Sequence, residues 1–349
     1  MAGKIRARTA RRRKSPHWML SAALVFFLLL SACAPRRAEP ASPAAATVTP
    51  NSPIPADTAL PLSSTVTLSP TKTATPTPVP SPTAPVQAGE DFRFAVIGDY
   101  GDGSEGEAAV AALVASWDVD FIVTTGDNNY PLGAAETIDA RVGQFYHAYL
   151  APYTGEYGAG AEVNRFFPVP GNHDWDTGTL QPYTDYFTLP GNERYYTFTW
   201  GAAAFFMLDS DSREPDGVGR SSVQALWLRD ALAASQSAWN IVVMHHPPYS
   251  SGRHGDNAYM QWPFAAWGAD IVLSGHDHTY ERIQRNGIVY FVNGLGGIHR
   301  YGFGVSVEGS QKRYNAGFGA MLVEGDAGSI TIQFVNTGGE VIDTWQSAP

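Results

Sequence analysis

Five polar blocks, each set directly after an apolar run, constrain this chain more than any other feature. They are Gly98-Asp99, Gly126-Asp127-Asn128-Asn129-Tyr130, Gly171-Asn172-His173-Asp174, Met244-His245-His246-Pro247-Pro248-Tyr249 and Gly275-His276-Asp277-His278. Core packing gives no reason to place carboxylates, an amide, a phenol and imidazoles just past buried strands. A pair of close cations does, because it needs a shared carboxylate and a ring of hard oxygen and imidazole donors. The fold must therefore carry distant loops to one place. An open α/β sheet does so, since its sites lie at the carboxyl ends of strands.

The rest of the pattern agrees. Apolar runs alternate with helical spacing, which predicts a layered α/β architecture. Segments 92–97, 119–125, 166–169, 195–200, 203–208, 240–244, 271–273 and 289–292 read as strands. Helices are expected near 108–115 and 137–150, and a third after Ser221 or Ser222, with Val223, Leu226, Trp227 and Ala231 at helical spacing. Segments 320–323, 329–335 and 341–345 read as a closing β meander.

Composition sets the domain boundaries. Residues 1–33 pair a basic start with an apolar run from Trp18 to Leu30 and end on Leu30-Ser31-Ala32-Cys33. The run suits the centre of a secretory signal better than a membrane span. Its end resembles the lipobox of bacterial lipoproteins, which implies acylation of Cys33, the chain's only cysteine. Residues 34–89 are rich in Pro, Thr, Ser and Ala and predict a disordered tether. Residues 90–349 are long enough for one large core. They hold 13 Lys and Arg against 31 Asp and Glu, a formal balance of −18 that argues against nucleic acid as a partner.

Taken in order over residues 92–298, the blocks resemble those of the calcineurin-like metallophosphoesterase superfamily. Most members carry Asp-x-His in the first block, where this chain has Asp99-Tyr100-Gly101. The small purple acid phosphatases also lack that histidine and use a tyrosine three residues past the second-block aspartate, here Tyr130 after Asp127. The paired loss and gain places the resemblance in that subgroup.

The resemblance implies a four-layer αββα sandwich, two mixed β-sheets flanked by helices. It implies two metal ions, with Asp99, Tyr130 and His278 on the first, Asn172, His245 and His276 on the second, and Asp127 bridging both. A phenol ionises readily only beside a strongly charged cation, so tyrosinate points to Fe(III) at the first site. The second donor set suits a divalent ion: Fe, Zn or Mn. By the same resemblance His173 contacts phosphate, Asp174 would orient His173, and His254 would protonate the leaving alkoxide.

Other features read as structure. His246 is expected beside the site and not on a metal, and Gly294-Leu295-Gly296-Gly297 as a turn near it. Asp209 and Asp211 are expected as structural carboxylates, Arg282 in an ion pair, and Trp227, Trp239, Trp262 and Trp267 in the core. The expected protein is an exported phosphate monoesterase of acid phosphatase type, anchored to a bacterial envelope through lipid on Cys33, in which a metal-activated hydroxide attacks a small phosphoester. A phosphodiesterase or nucleotide hydrolase is the alternative on this scaffold, and a non-catalytic surface-binding lipoprotein the alternative from another class. The sequence does not determine the oligomeric state.

Overall fold

The computed structural model describes residues 91–347. Expectations for the signal segment, Cys33 and the tether fall outside the described residues. Thirteen strands form two mixed sheets. The first sheet contains β1 (Phe92–Ile97), β2 (Phe121–Thr124), β3 (Phe166–Pro168), β11 (Gly319–Gly325), β12 (Ile330–Asn336) and β13 (Val341–Gln346), in the order β13-β12-β11-β1-β2-β3. The second contains β4 (Tyr196–Trp200), β5 (Ala203–Met207), β6 (Trp239–Val243), β7 (Ile271–Ser274), β8 (Tyr280–Arg285), β9 (Ile288–Asn293) and β10 (Ser310–Tyr314), in the order β10-β8-β9-β7-β6-β5-β4.

Residue alternation along the strands explains the layering. On β5 to β7, Ala203, Phe205, Met207, Ile241, Val243, Ile271 and Leu273 point into the core between the sheets. Their neighbours Ala204, Phe206, Val242 and Val272 point the other way, into a second core with helix Val223–Ala234. Strands buried on both faces must be apolar throughout, as these are. Aromatic rings join the sheets: Phe167 stacks on Phe198 at 3.8 Å, and Phe94 and Phe121 meet the Phe205 ring edge-on at 5.1 and 5.4 Å. At the far edge Tyr280 stacks on Phe334 at 4.3 Å. Such pairs add about 0.5–1.5 kcal/mol each beyond burial.

Several local expectations need correction. Helix Val223–Ala234 is capped by Ser222, whose hydroxyl accepts the Ala225 N–H, but Val223 and Leu226 are exposed. Ala225, Leu228 and Leu232 form its buried face. The first helix begins earlier than expected, at Glu105, because Ser104 caps it. The predicted 137–150 helix is broken into helix Ala135–Ile138, a π turn Asp139–Gly143, helix Gln144–Tyr146 and a 3₁₀ turn His147–Tyr149. Strands β8 and β10 carry too many polar residues (Tyr280-Glu281-Arg282 and Ser310-Gln311-Lys312-Arg313) to show as apolar runs. Cross-strand pairing makes them strands.

Strands β1, β2 and β3 run parallel in one sheet, and β5, β6 and β7 in the other. Five of these strands run out into the polar blocks: β1 before Asp99, β2 before Asp127, β3 before Asn172, β6 before His245 and β7 before His276. The site thus sits where the carboxyl ends of two sheets meet.

Candidate metal centre

The loops are fastened before any side chain is considered. Asp99 N–H donates to the Gly126 carbonyl at 3.0 Å, and Gly275 N–H to that of His245 at 2.9 Å. Gly171 lies against Asp127, where an added Cβ would collide with Oδ1. Buried Asn128 ties the second and third loops together. Its Oδ1 accepts from Tyr100 (2.9 Å) and Thr124 (2.6 Å), while its amide N–H groups donate to the Val169 carbonyl and to Asp174 Oδ2, both at 2.9 Å. All four of its hydrogen bonds are made, so it acts as a rigid spacer.

On this frame the expected ligands converge. Tyr130 Oη lies 2.8 Å from Asp127 Oδ2, 3.3 Å from Asp99 Oδ1 and 3.4 Å from His278 Nε2. His245 Nε2 lies 3.1 Å from Asn172 Oδ1, 3.2 Å from His276 Nδ1 and 3.4 Å from Asp127 Oδ2. Ligand atoms of Asp99, Asp127 and His245, all buried, lie within 4.8 Å of one another. Asp127 stands in both clusters, between Tyr130 and His245.

Tautomers test whether this set fits cations. His245 Nδ1 sits 2.8 Å from the Thr125 carbonyl, and His278 Nδ1 sits 2.8 Å from the His299 carbonyl. A carbonyl only accepts, so each Nδ1 carries the proton, and in the neutral ring Nε2 presents a lone pair. Both Nε2 atoms face carboxylate, amide or phenol oxygens in a buried site, where positive charge must come from a ring proton or from a metal ion that replaces it. The residues therefore fit a pair of metal ions, and the backbone carbonyls fix the rings for that role.

The protein's own electrostatics give the same result. Burial opposes ionisation of Asp127, but the charge and hydrogen bond of His245 outweigh it and hold the carboxyl well below its usual range. Burial lowers His245, and Asp127 more than reverses this, to about 10; a proton on His245 then supplies charge that a cation would bring. Burial, then the Asp127 and Asp99 charges, raise the Tyr130 phenol well above its ordinary value. Only a strongly charged cation would turn it into tyrosinate.

His246, expected beside the site and not on a metal, is held by Ser210. Ser210 Oγ accepts the His246 backbone N–H at 2.8 Å and lies 3.0 Å from Nδ1, which fixes the ring. Its ring nitrogen still falls within 4.8 Å of those of His245 and His276. Burial and the His245 charge lower its pKa to about 3, so it remains neutral.

The residues expected to serve substrate divide differently. His173 is half-buried at the rim, with its N–H on Asp127 Oδ1 (2.9 Å) and Nδ1 on the Pro131 carbonyl (2.7 Å). Asp174 does not orient it, which corrects that expectation. The Asp174 carboxylate points inward to the Gly171 N–H at 2.8 Å and to Asn128, so it braces two metal-bearing loops and reaches no reacting atom. His254 is exposed, its ring 4.2 Å from that of His276. Asp277, between two ligand histidines, accepts the His254 N–H at 2.8 Å, the Gly255 N–H at 3.2 Å and the Ser250 hydroxyl at 2.5 Å. It thereby fixes the His254 loop to the metal loop.

Sequence reasoning passed over Asn128, Asp277, His299 and Tyr301. The first two lie inside blocks already singled out, where a ligand pattern hides the bracing residues. Tyr301 stacks on His278 at 4.1 Å and 8°, and no spacing marked it. Gly294 does lie at the site, since a Cβ there would sit 2.8 Å from Asp99 Oδ2. Asp209 accepts the Trp175 indole N–H at 3.0 Å, and Asp211 binds Arg213 at 2.7 Å. Arg213 in turn holds the Asn172 carbonyl at 2.9 Å, so this pair supports the third loop.

Comparison with known proteins agrees with this geometry. The profile of the calcineurin-like phosphoesterase family matches residues 92–280. Purple acid phosphatase 17 of Arabidopsis thaliana is 27% identical over 251 residues, covering 61% of this chain and 70% of the relative. Tartrate-resistant acid phosphatase type 5 of Rattus norvegicus is 26% identical over 252 residues, covering 61% and 74%. Among solved structures, a purple acid phosphatase from yellow lupin (Lupinus luteus) seeds shares the fold with a TM-score of 0.59 at 18% identity. That match covers 77% of this chain, which spans 55% of the lupin chain. GAP50, the anchor in the inner membrane complex of Plasmodium, shares it with a TM-score of 0.56 at 23% identity, covering 73% and 88%. The chain belongs to the calcineurin-like phosphoesterase family, as a purple acid phosphatase-like, metal-dependent phosphoester hydrolase.

Proposed function

We propose that this protein is an exported, lipid-anchored phosphate monoesterase with ferric iron at the Asp99, Tyr130, His278 site and a divalent ion at the Asn172, His245, His276 site. One observation carries the reading: His245 and His278, each fixed by a backbone carbonyl on Nδ1, turn Nε2 toward the buried carboxylates of Asp127 and Asp99. Asp99, Asp127, Tyr130, Asn172, His245, His276 and His278 would hold the two cations, which when bound would supply Lewis acidity toward phosphoryl oxygens and a water. Tyr130 selects the ferric ion, because its phenol is held neutral until a strongly charged cation arrives. The basic start, apolar run and Cys33 support export and acylation.

The chain's own groups do the rest. Pro131 occupies His173 Nδ1, with Asp176 3.4 Å from the same atom, so Nε2 is the atom left for a phosphoryl oxygen. Charge developing on phosphorus oxygens is stabilised there. His254 stands on the His276 side, placed through Asp277 to give a proton to the departing alkoxide. A monoester fits the absence of a first-block histidine after Asp99.

His254→Ala tests the assignment. It should keep both metals and lose about tenfold or more on an alkyl phosphate, whose leaving group needs the proton, with a much smaller loss on an aryl phosphate. Equal losses on both would remove His254 from leaving-group chemistry. Faster turnover of an aryl phosphodiester than of the monoester would favour the diesterase reading.

A further inference from the structure

Beyond the expected metal ligands, one side of the site continues into a shallow, solvent-open depression of about 500 Å³ lined by His299, Arg300, Tyr301, Gly302, Asn315 and Phe318. Its inner wall is the Tyr301 ring, whose other contacts are with His278 and, at 5.3 Å, with His254. His299 Nε2 meets Tyr301 Oη at 3.1 Å and closes that wall. The depression thus begins where the leaving-group histidine stands.

Arg300 lines it, and Arg253 lies over the Tyr301 ring that forms its wall. The Arg253 guanidinium lies 5.2 Å from the Tyr301 ring centroid. The Arg300 guanidinium lies 5.5 Å from that of Phe318 and spends one N–H on the Asn315 carbonyl at 2.9 Å. Asn315 holds the Tyr301 carbonyl at 2.7 Å, so Arg300 and Tyr301 are braced by one residue. Among the described residues neither arginine has a carboxylate within 4.0 Å, whereas Arg194, Arg213 and Arg282 are all paired. Arg141, Arg165, Arg220 and Arg313 also lack a carboxylate partner among the described residues, so Arg253 and Arg300 are set apart by their place on the Tyr301 side of the site, next to His254. Aromatic faces hold both, and their remaining N–H forks are free for a planar anion.

We propose that Arg253 and Arg300 form a specificity subsite for a second anionic group, carboxylate or phosphate, carried on the leaving alcohol of the phosphoester. The proposal rests on the phosphatase reading above, which puts the leaving group on the His254 side. The subsite raises affinity for the charged leaving group and leaves proton transfer to His254. A depression of this size suits a small phosphorylated metabolite.

The test uses the metal-loaded full chain with phenyl phosphate, 4-carboxyphenyl phosphate and 1,4-phenylene bisphosphate. Wild type should favour the two charged substrates in kcat/KM, mainly through KM. In Arg253→Met/Arg300→Met that preference should fall about five- to tenfold, the size expected of two solvent-facing charge contacts. Arg253→Lys/Arg300→Lys should keep part of it, and added salt should shrink it. The larger of the two preferences tells carboxylate from phosphate. Calorimetric binding of phenylphosphonate against 4-carboxyphenylphosphonate gives the same comparison without turnover. A protein inactive on phenyl phosphate would overturn the phosphatase reading, while the phosphonate pair still decides the subsite. Preferences identical in wild type and the Met variant, in rate and in binding, would overturn the subsite.

Discussion

Asp99, Asp127 and His276 hold φ angles of 55°, 55° and 68°, a region that costs residues with side chains energy and that clusters at functional sites. Asp99 and Asp127 meet at the Tyr130 hydroxyl, and Asp127 also reaches His245 of the other sheet. Asn tolerates this backbone as well as Asp does, so Asp127→Asn isolates the charge from the conformation. It should keep the fold, lose or weaken both metals together and lower aryl phosphate turnover by at least about a hundredfold. Normal metal content and turnover in that variant would remove Asp127 from the bridge. Tyr130→Phe makes a narrower prediction. If the phenolate binds ferric iron, charge moves from ligand to metal on absorbing visible light, and wild type should be violet or pink. Loss of its oxygen should bleach the band while Asn172, His245 and His276 keep the second ion. An equal visible spectrum in both proteins would take Tyr130 out of the ferric site.

Among the elements, the expected ligands were legible because chemistry and position coincide: a carboxylate or imidazole after an apolar run has no packing explanation. The bracing residues were not, because Asn128, Asp174 and Asp277 act through contacts between loops that only the folded sheets bring together. Strand β8 was hidden for a similar reason. Its Arg282 gives Nε and Nη2 to Asp343 of β13 at 2.7 and 3.1 Å, and Tyr280 gives Oη to the same carboxylate at 2.9 Å. This tie joins the two sheets at their edge, and polar residues there conceal the strand. Burial opposes ionisation of Asp343, yet the Arg282 and Tyr280 hydrogen bonds hold its carboxyl below the usual range. Its contribution is therefore complete above the unfolded-state value and disappears as pH falls through the folded one. Asp343→Asn should cost about 1–3 kcal/mol at pH 7, with the gap narrowing toward pH 3, as urea midpoints would record. A gap unchanged at acid pH would mean that the charge contributes nothing.

At the scale of the molecule, two sheets stacked through phenylalanines make a rigid support, and their parallel strands deliver the loops to one end. That layering was legible as alternating apolar runs, whereas the pairing order was not, because β1 lies between β2 and the late strand β11. The formal charge of −18 on residues 90–349 makes the metal centre and the Arg253 side the places where an anion is welcome. Export would put this surface outside the cytoplasm: Cys33→Ser should move the protein from the membrane fraction to soluble or unprocessed forms, and unchanged detergent partitioning would rule out the acyl anchor. On the proposed reading, seven side chains hold two cations. The most direct test of this is elemental analysis of the purified full chain after supply of iron with zinc or manganese. The account predicts two ions per chain, one of them iron, falling together in Asp127→Asn; a chain that binds one ion or none under those conditions would contradict it.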